Sequence, residues 1–188
     1  MKLQGAITAI ITPMQGGSVD DGGLRKLVRA QLAGGIEGLV VNGSTGEAAT
    51  LTNDEQEYVL RHVVDQVVGQ VPVIAGVGSR STHGAIEQAR RAEKAGADAL
   101  LVVTPAYNKP TQEGLRLHFL AVAENTRLPI VLYNVPGRTA VDLLPPTVAA
   151  LAAHPRIVAI KEATGSLARA SELRALIPDR AFTILSGD

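Results

Sequence analysis

Short apolar runs recur along the chain and alternate with longer amphipathic segments. Seven of these runs are rich in β-branched residues and predict strands at residues 6–11, 39–41, 71–77, 99–103, 130–133, 157–160 and 182–185. Most are apolar at successive positions, which is typical of parallel strands that are covered on both faces. The pattern therefore predicts a parallel sheet with helices between its strands.

The segments between the runs carry apolar residues at the spacing of an amphipathic helix. Two examples are Leu24, Leu27, Val28 and Leu32, and Leu60, Val63, Val64 and Val67. Thr52 and Glu55 have the spacing of a helix N-terminal capping box, and Gly96 is typical of a residue that ends a helix. An alanine-rich helix over residues 85–99 is expected to pack on the sheet.

The predicted strands begin roughly every 25 to 35 residues, which is the size of a βαβ unit. Two architectures have this repeat: a (β/α)8 barrel and an open, doubly wound sheet. An open dinucleotide-binding sheet would need a G-x-G-x-x-G turn, and the nearest match, residues 76–81, lacks the third glycine. Periodicity alone leaves the choice open.

The composition of the chain narrows the range of possible functions. The 188 residues are 46% apolar and show no linker-like stretch, so we expect residues 1–188 to form a single domain. Eighteen basic residues balance eighteen acidic ones, which disfavours nucleic-acid or membrane partners. The absence of cysteine suits a reducing cytoplasm, and no apolar run approaches the ~20 residues of a membrane span. Small-molecule chemistry is the better expectation.

The carboxyl ends of the predicted strands carry the candidate chemistry, since these ends feed the active-site loops of α/β folds. Polar residues follow strand ends at 42–47, 104–107 and 133–138, and Lys161 closes the apolar run 157–160. All four sites should open on one face of the sheet. The four histidines, in contrast, show no metal-ligand spacing and are interpreted as structural or surface residues.

Lys161 is the candidate nucleophile. An amine enclosed in a pocket loses hydration of its charged form, which lowers its pKa and makes it reactive toward carbonyls. Most lysines at such positions simply extend into solvent, so position alone does not decide. Side-chain alternation should turn Glu162 away from the pocket that Lys161 faces.

Tyr133 ends the strand before that of Lys161, so the phenol and the amine could converge at one rim and exchange protons with a substrate. The glycine-flanked hydroxyls of Ser44 and Thr45 suit a carboxylate, although a plain turn has the same composition. Arg138 could bind a second carboxylate through its guanidinium fork, or it could be solvated.

Three motifs together resemble the signatures of the dihydrodipicolinate synthase and N-acetylneuraminate lyase superfamily. They are G-S-T-G-E at residues 43–47, Y-N-V-P-G-R-T at 133–139 and I-K-E-A-T-G at 160–165. The motifs occur in the right order over the whole chain. This resemblance implies a (β/α)8 TIM barrel. Since such a barrel typically has ~250 residues, the chain is expected to stop after strand seven, as a C-terminally incomplete barrel that is not a competent synthase by itself.

The resemblance also implies residue roles. Lys161 would form a Schiff base with pyruvate, Tyr133 would assist proton transfer, and Thr45 and Tyr107 would complete a proton relay. Ser44 and Thr45 would bind the pyruvate carboxylate. Tyr107 would act across a tight dimer interface in a homotetramer built from two dimers. No metal or organic cofactor is implied, because the protonated imine on Lys161 serves as the electron sink.

Arg138 favours the synthase branch, in which it would hold the carboxylate of L-aspartate-4-semialdehyde. The implied reaction condenses pyruvate with this semialdehyde to 4-hydroxy-tetrahydrodipicolinate, a step of lysine and diaminopimelate synthesis. At position 44 most synthases carry threonine, whereas Ser44 matches the lyase branch. One alternative is therefore another Schiff-base aldolase acting on a 2-oxo acid, although Arg138 argues against it. The other, which the short length of the chain raises, is an inactive fragment. Since Gln56, Gly84 and Ala106 replace the residues of the family's lysine pocket, and Arg80 adds a positive charge, weak feedback by lysine is expected.

Overall fold

Seven parallel strands form the main sheet in the part of the chain that the computed structural model describes, residues 3–179 and 181–187. In chain order they are β1 (Ile7–Ala9), β4 (Gly38–Val41), β5 (Val73–Val77), β6 (Ala99–Val103), β7 (Ile130–Asn134), β8 (Ile157–Glu162) and β9 (Thr183–Ser186). Each strand pairs in parallel with the next, in the order β1-β4-β5-β6-β7-β8-β9. The seven predicted strands are confirmed, with ends that differ by a few residues.

A small antiparallel hairpin, β2 (Met14–Gln15) with β3 (Ser18–Val19), follows the first strand and lies outside the predicted elements. Its turn is Gly16-Gly17, where φ is +61° and +84°. Glycine adopts these left-handed angles without steric cost. The chain reverses here because two successive residues lack a Cβ.

Helices connect the strands, as the amphipathic spacing predicts. They are α1 (Asp21–Ala33), α2 (Asn53–Val67), α3 (Thr82–Lys94), α4 (Gln112–Glu124), α5 (Pro136–Thr139), α6 (Pro145–Ala152) and α7 (Leu167–Leu176), with a 3-10 turn at Ala48–Thr50. The capping box is present: Thr52 Oγ1 accepts from the Glu55 backbone N–H, and the Glu55 carboxylate accepts from that of Thr52.

The alanine-rich helix is shorter than predicted. Helix α3 ends at Lys94, and Gly96 follows with φ +91°, so the predicted extension to residue 99 is wrong. Because Gly96 turns the chain, Ala99 begins strand β6 instead. Ala85, Ala89 and Ala92 are buried, which confirms that the small side chains of α3 pack against the core.

Side-chain alternation divides the core into two layers. One layer lies between the sheet and the helices and takes, for example, Leu100, Leu132 and Ile160. The other covers the opposite face of the sheet and takes Tyr133 and Ala159 among others. Since residues two apart on a strand share a face, Lys161 lies on the same face as Ala159.

Candidate active site

Lys161 and Tyr133 lie side by side on neighbouring strands. They are directly paired in the register of β7 and β8, and Lys161 Nζ is 4.6 Å from the centre of the Tyr133 ring. Tyr133 is 7% exposed, and Lys161 is half-buried at the carboxyl ends of the two strands. A protonated lysine amine over a tyrosine face is attracted by the ring's negative potential. The structure thus brings together the two residues that the sequence predicts as nucleophile and proton carrier.

A β-bulge at Val158 produces this pairing. Ile130 pairs with Ile157, but the next residue of β7, Val131, pairs with Ala159, so Val158 has no partner in the register. Without the extra residue, Tyr133 would lie opposite Ile160 and Lys161 would lie opposite Asn134. Bulges commonly redirect side chains beside active sites, and this one puts Lys161 and Tyr133 on the same face.

The end of β9 closes against Lys161 from the other side. Gly187 donates its backbone N–H to the Glu162 carbonyl oxygen at 2.8 Å. A Cβ at Gly187 would lie 2.6 Å from Ala163 Cβ and 3.1 Å from Lys161 Cε. Only a residue without a side chain fits this approach unchanged, so Gly187 allows three strand ends to meet around the lysine stem.

The loop of residues 43–46 carries the two predicted carboxylate-binding hydroxyls. Asn42 enters the loop with φ +57°, and its side-chain amide donates to the Gln56 carbonyl oxygen at 2.8 Å. Thr12 Oγ1 holds the other end by donating to the Gly46 carbonyl oxygen at 2.7 Å. The side chains of Ser44 and Thr45 are exposed. The loop backbone is therefore anchored at both ends, and its hydroxyls are open to a ligand.

Gly76 explains how the loop packs on the sheet. A Cβ at Gly76, on strand β5, would overlap the carbonyl group of Asn42. Glycine is required where two backbones approach this closely. The neighbouring strand thus supports the turn that presents Ser44 and Thr45.

Tyr107 and Arg138, two further predicted site residues, are also exposed. Tyr107 is 84% exposed, with φ +75°, and its backbone N–H donates to the Thr139 carbonyl oxygen at 3.2 Å. Thr104, fully buried at the end of the preceding strand, donates its hydroxyl to that of Thr139 at 3.1 Å. Arg138 is exposed on α5. The two loops are therefore tied together, while the Tyr107 ring is left outside the protein core.

One open cleft of about 810 Å³ connects several of these residues. Ser44, Tyr133 and Arg138 line it, together with Gln56 and Arg80 from neighbouring loops. Lys161, Thr45 and Tyr107 are not among the residues that line it. Lys161 Nζ lies 4.6 Å from the centre of the Tyr133 ring, which does line the cleft. The structure thus puts the phenol and two candidate carboxylate contacts in one cleft with the candidate nucleophile beside the phenol, but does not bring the Tyr107 ring to them.

A buried polar network lies behind the lysine and was not identified from the sequence. Asn134 Nδ2 donates to Asp142 Oδ1 at 2.8 Å and to both carboxylate oxygens of Glu162, at 3.1 and 3.3 Å. Arg169 donates to Asp142 at 2.7 Å. Glu162 therefore faces away from Lys161, as predicted. The sequence signal for this network was the presence of an amide, Asn134, and a carboxylate, Glu162, at the ends of two adjacent apolar strands.

The network holds Asp142 in its charged form. Burial acts to raise the pKa of Asp142, but hydrogen bonds from Arg169 and Asn134 outweigh it, so the pKa lies below its ordinary value. The same ion pair raises the pKa of Arg169. Both charges are thus neutralised by a partner on another element, as buried charges require.

Residues 3–179 and 181–187 contain no group of three or more His, Asp or Glu side chains placed to hold a metal ion. The helices within the same ranges are all too short or too polar to cross a membrane.

Fold and site together define a parallel α/β protein of the barrel type with an amine at the carboxyl edge of its sheet. The chain belongs to the dihydrodipicolinate synthetase family, whose model matches residues 2–188. This match agrees with the resemblance that the three sequence motifs indicate.

Curated relatives support the assignment. A 4-hydroxy-tetrahydrodipicolinate synthase from Geotalea daltonii is 57% identical over 185 residues, which are 98% of this chain and 63% of that protein. The enzyme of the same name from Geobacter sulfurreducens is 55% identical over 185 residues, which are again 98% of this chain and 63% of that protein. The chain therefore spans about 63% of the length of these relatives.

Solved structures confirm the predicted fold class. A dihydrodipicolinate synthase from Aquifex aeolicus has a TM-score of 0.96 at 42% identity, covering 99% of this chain and 64% of that one. The enzyme from Acinetobacter baumannii, solved in complex with pyruvate, also has a TM-score of 0.96, at 47% identity, covering 98% and 64%. The seven strands thus match the corresponding part of a TIM barrel.

Proposed function

We propose that this protein is a 4-hydroxy-tetrahydrodipicolinate synthase, a lyase that condenses pyruvate with L-aspartate-4-semialdehyde through a Schiff base on Lys161. The observation that carries the proposal is the pairing of Lys161 with Tyr133 at the carboxyl edge of the sheet. The family and the pyruvate complex of the Acinetobacter baumannii relative support the choice of the first substrate.

The first half of the reaction forms the imine. The neutral Lys161 amine adds to the C2 carbonyl carbon of pyruvate, and the resulting carbinolamine loses water to give a protonated imine. In our proposal Tyr133 gives the departing hydroxyl its proton and accepts one afterwards, which its position next to Lys161 supports. Thr45 and Tyr107 complete this proton relay in our proposal. The covalent imine withdraws electrons from the substrate, which is why the proposal includes no metal or organic cofactor.

The second half forms the carbon–carbon bond. Loss of a proton from C3 of the bound pyruvate gives an enamine, and its C3 attacks the aldehyde carbon of the semialdehyde, whose oxygen takes up a proton. The semialdehyde amine then adds to C2 and displaces Lys161, so the ring closes and the enzyme is regenerated. Ser44 and Thr45 bind the pyruvate carboxylate, and Arg138 binds the carboxylate of the semialdehyde.

Exposed side chains support a proposal on assembly. Tyr107 and Leu167 are 84% and 88% exposed, so both side chains are accessible to another subunit. We propose a homotetramer made of two dimers in which Tyr107 reaches a neighbouring subunit, and a cytoplasmic location. Sedimentation of the purified protein, with Tyr107→Ala and Leu167→Asp variants, would show whether either residue holds subunits together.

Reductive trapping tests the proposed function. Pyruvate with borohydride should leave a reduced adduct on Lys161, located by mass spectrometry of the digested protein. Lactate, which has no carbonyl at C2, is the matched control, and Lys161→Ala should carry no adduct. Labelling of other lysines alone would refute the mechanism. Comparing the semialdehyde with sugar-derived aldehydes then separates a synthase from an aldolase with another second substrate.

A further inference from the structure

Directly behind the reactive pair lies a second pair of residues. In the register of β7 and β8, Tyr133 pairs with Lys161 and the next two residues, Asn134 and Glu162, pair with each other. Asn134 is fully buried and Glu162 is 7% exposed. Because successive side chains of a strand point to opposite faces, the two pairs lie back to back across the sheet.

The second pair is fully engaged in hydrogen bonds. Glu162 accepts from Asn134 Nδ2 through both oxygens, and one oxygen also accepts from the Thr164 backbone N–H at 3.0 Å. Asn134 Oδ1 accepts from the Leu143 backbone N–H at 2.9 Å. A buried group saturated in this way has one favourable position. The two strand ends are therefore fixed relative to each other.

The bulge at Val158 depends on hydrogen bonds that fix the register of β8 against β7. The apolar side chains of β8 would tolerate a register shifted by one residue, because both faces of the strand are covered by apolar groups. Such a shift would move Glu162 away from Asn134 and leave a buried carboxylate without that donor, which is costly. The Asn134–Glu162 hydrogen bonds therefore select the register in which Lys161 meets Tyr133.

We propose that Asn134 and Glu162 are positioning residues, which set the alignment of Lys161 with Tyr133 and thereby the rate of imine formation. The inference rests on the proposed function, since it concerns the same amine. Neither side chain faces the pocket, so neither should contribute to pyruvate binding. A displacement of about 1 Å at a reacting group lowers rates up to ~100-fold.

Three variants separate positioning from folding. Glu162→Met fills the volume of the carboxylate with an apolar side chain, a change that buried charges often tolerate. Glu162→Gln keeps a carbonyl oxygen that can accept from Asn134. Arg169→Gln is the matched control, because it weakens the same network at Asp142 without touching the Asn134–Glu162 hydrogen bonds. Thermal unfolding of each protein establishes that it is folded.

The rate of borohydride-trapped labelling of Lys161 is then measured against pyruvate concentration. We expect Glu162→Met to slow labelling by about 10- to 100-fold at an unchanged half-saturating pyruvate concentration, and Glu162→Gln, which keeps one of the two acceptor oxygens, to slow it by only several-fold. Arg169→Gln should label at the normal rate despite a lower melting temperature. Combining Glu162→Met with Tyr133→Phe should slow labelling by less than the product of the single effects, because both act on one alignment.

The outcomes are distinguishable. If the unaltered protein does not label Lys161, the proposed function fails. If it labels Lys161 but folded Glu162→Met labels equally fast, the positioning role alone is refuted. Should Glu162→Met not fold, Glu162→Gln decides: a folded protein slowed by several-fold relative to Arg169→Gln supports the inference, and one with the control's rate overturns it.

Discussion

The amine of Lys161 lies 4.6 Å from the centre of the Tyr133 ring, on the face of the sheet opposite the Asn134–Glu162 hydrogen bonds. In the proposed reaction the ring and the hydroxyl of Tyr133 have separable roles, since the ring contacts Lys161 while the hydroxyl would transfer protons.

Removing only the hydroxyl should separate these roles. We expect Tyr133→Phe to keep the ring under Lys161 and to lower turnover by about 100- to 10,000-fold, the usual contribution of proton transfer. Borohydride trapping should still label Lys161, at a reduced rate. Tyr58→Phe is the control, because the Tyr58 hydroxyl donates to Asp21 and Tyr58 does not line the cleft. Normal turnover in Tyr133→Phe would exclude the phenol from the reaction.

The sequence predicts the meeting of Lys161 and Tyr133 only in part. Their places at the ends of consecutive strands follow from the apolar runs, and the resemblance of the motifs implies their proposed roles. The bulge at Val158 cannot be predicted from the sequence. The run 157–160 is apolar at every position, so a shift of its register by one residue would bring no polar side chain of the run onto the wrong face. The pairing that aligns the site is therefore a property of two strands together.

The same reasoning explains what was missed behind the site. The sequence predicts a loop at Asn134 and an orientation of Glu162 away from Lys161, but no local pattern predicts that these two residues contact each other. Their contact depends on the register of two strands and on Asp142, which comes from a third segment. The hairpin at Gly16-Gly17, in contrast, carries a local turn signal, and a search for glycine pairs would have found it.

Gly187 should be intolerant of a side chain. In Gly187→Ala the new Cβ would lie 2.6 Å from Ala163 Cβ and 3.1 Å from Lys161 Cε, so one of the strand ends must shift. We expect labelling of Lys161 by pyruvate and borohydride to slow by about 10-fold or more. Gly114→Ala is the control, because a Cβ there meets neighbours only at 3.4 Å and lies in helix α4. Equal labelling by the two variants would show that the lysine stem has more space than the structure indicates.

The ion pair between Asp142 and Arg169 predicts a dependence of stability on pH. The folded-state pKa of Asp142 lies below its unfolded value, so its contribution is fully present above the unfolded value, about pH 4, and is lost as the pH falls through the folded value. Arg169→Gln should therefore lower the melting temperature by roughly 2–4 °C at pH 6, for a loss of about 1 kcal/mol. The difference should shrink in melting curves below about pH 4. A constant difference from pH 6 to pH 3 would contradict this role of the carboxylate charge.

Lysine should inhibit the protein weakly or not at all. Lysine-sensitive members of the family that the motifs resemble have a histidine, a glutamate and a tyrosine in a lysine pocket. At these positions this chain has Gln56, Gly84 and Ala106. Gln56 and Ala106 line the cleft beside Arg80, whose positive charge opposes the approach of a lysine ammonium group. We expect less than twofold inhibition at ~1 mM lysine in a turnover assay, and calorimetry should detect no tight binding. Arg80→Ala removes the repulsion but restores no carboxylate, so it should raise lysine affinity by only a few-fold. Strong inhibition of the unaltered protein that Arg80→Ala leaves unchanged would show that lysine binds by contacts outside this group of residues.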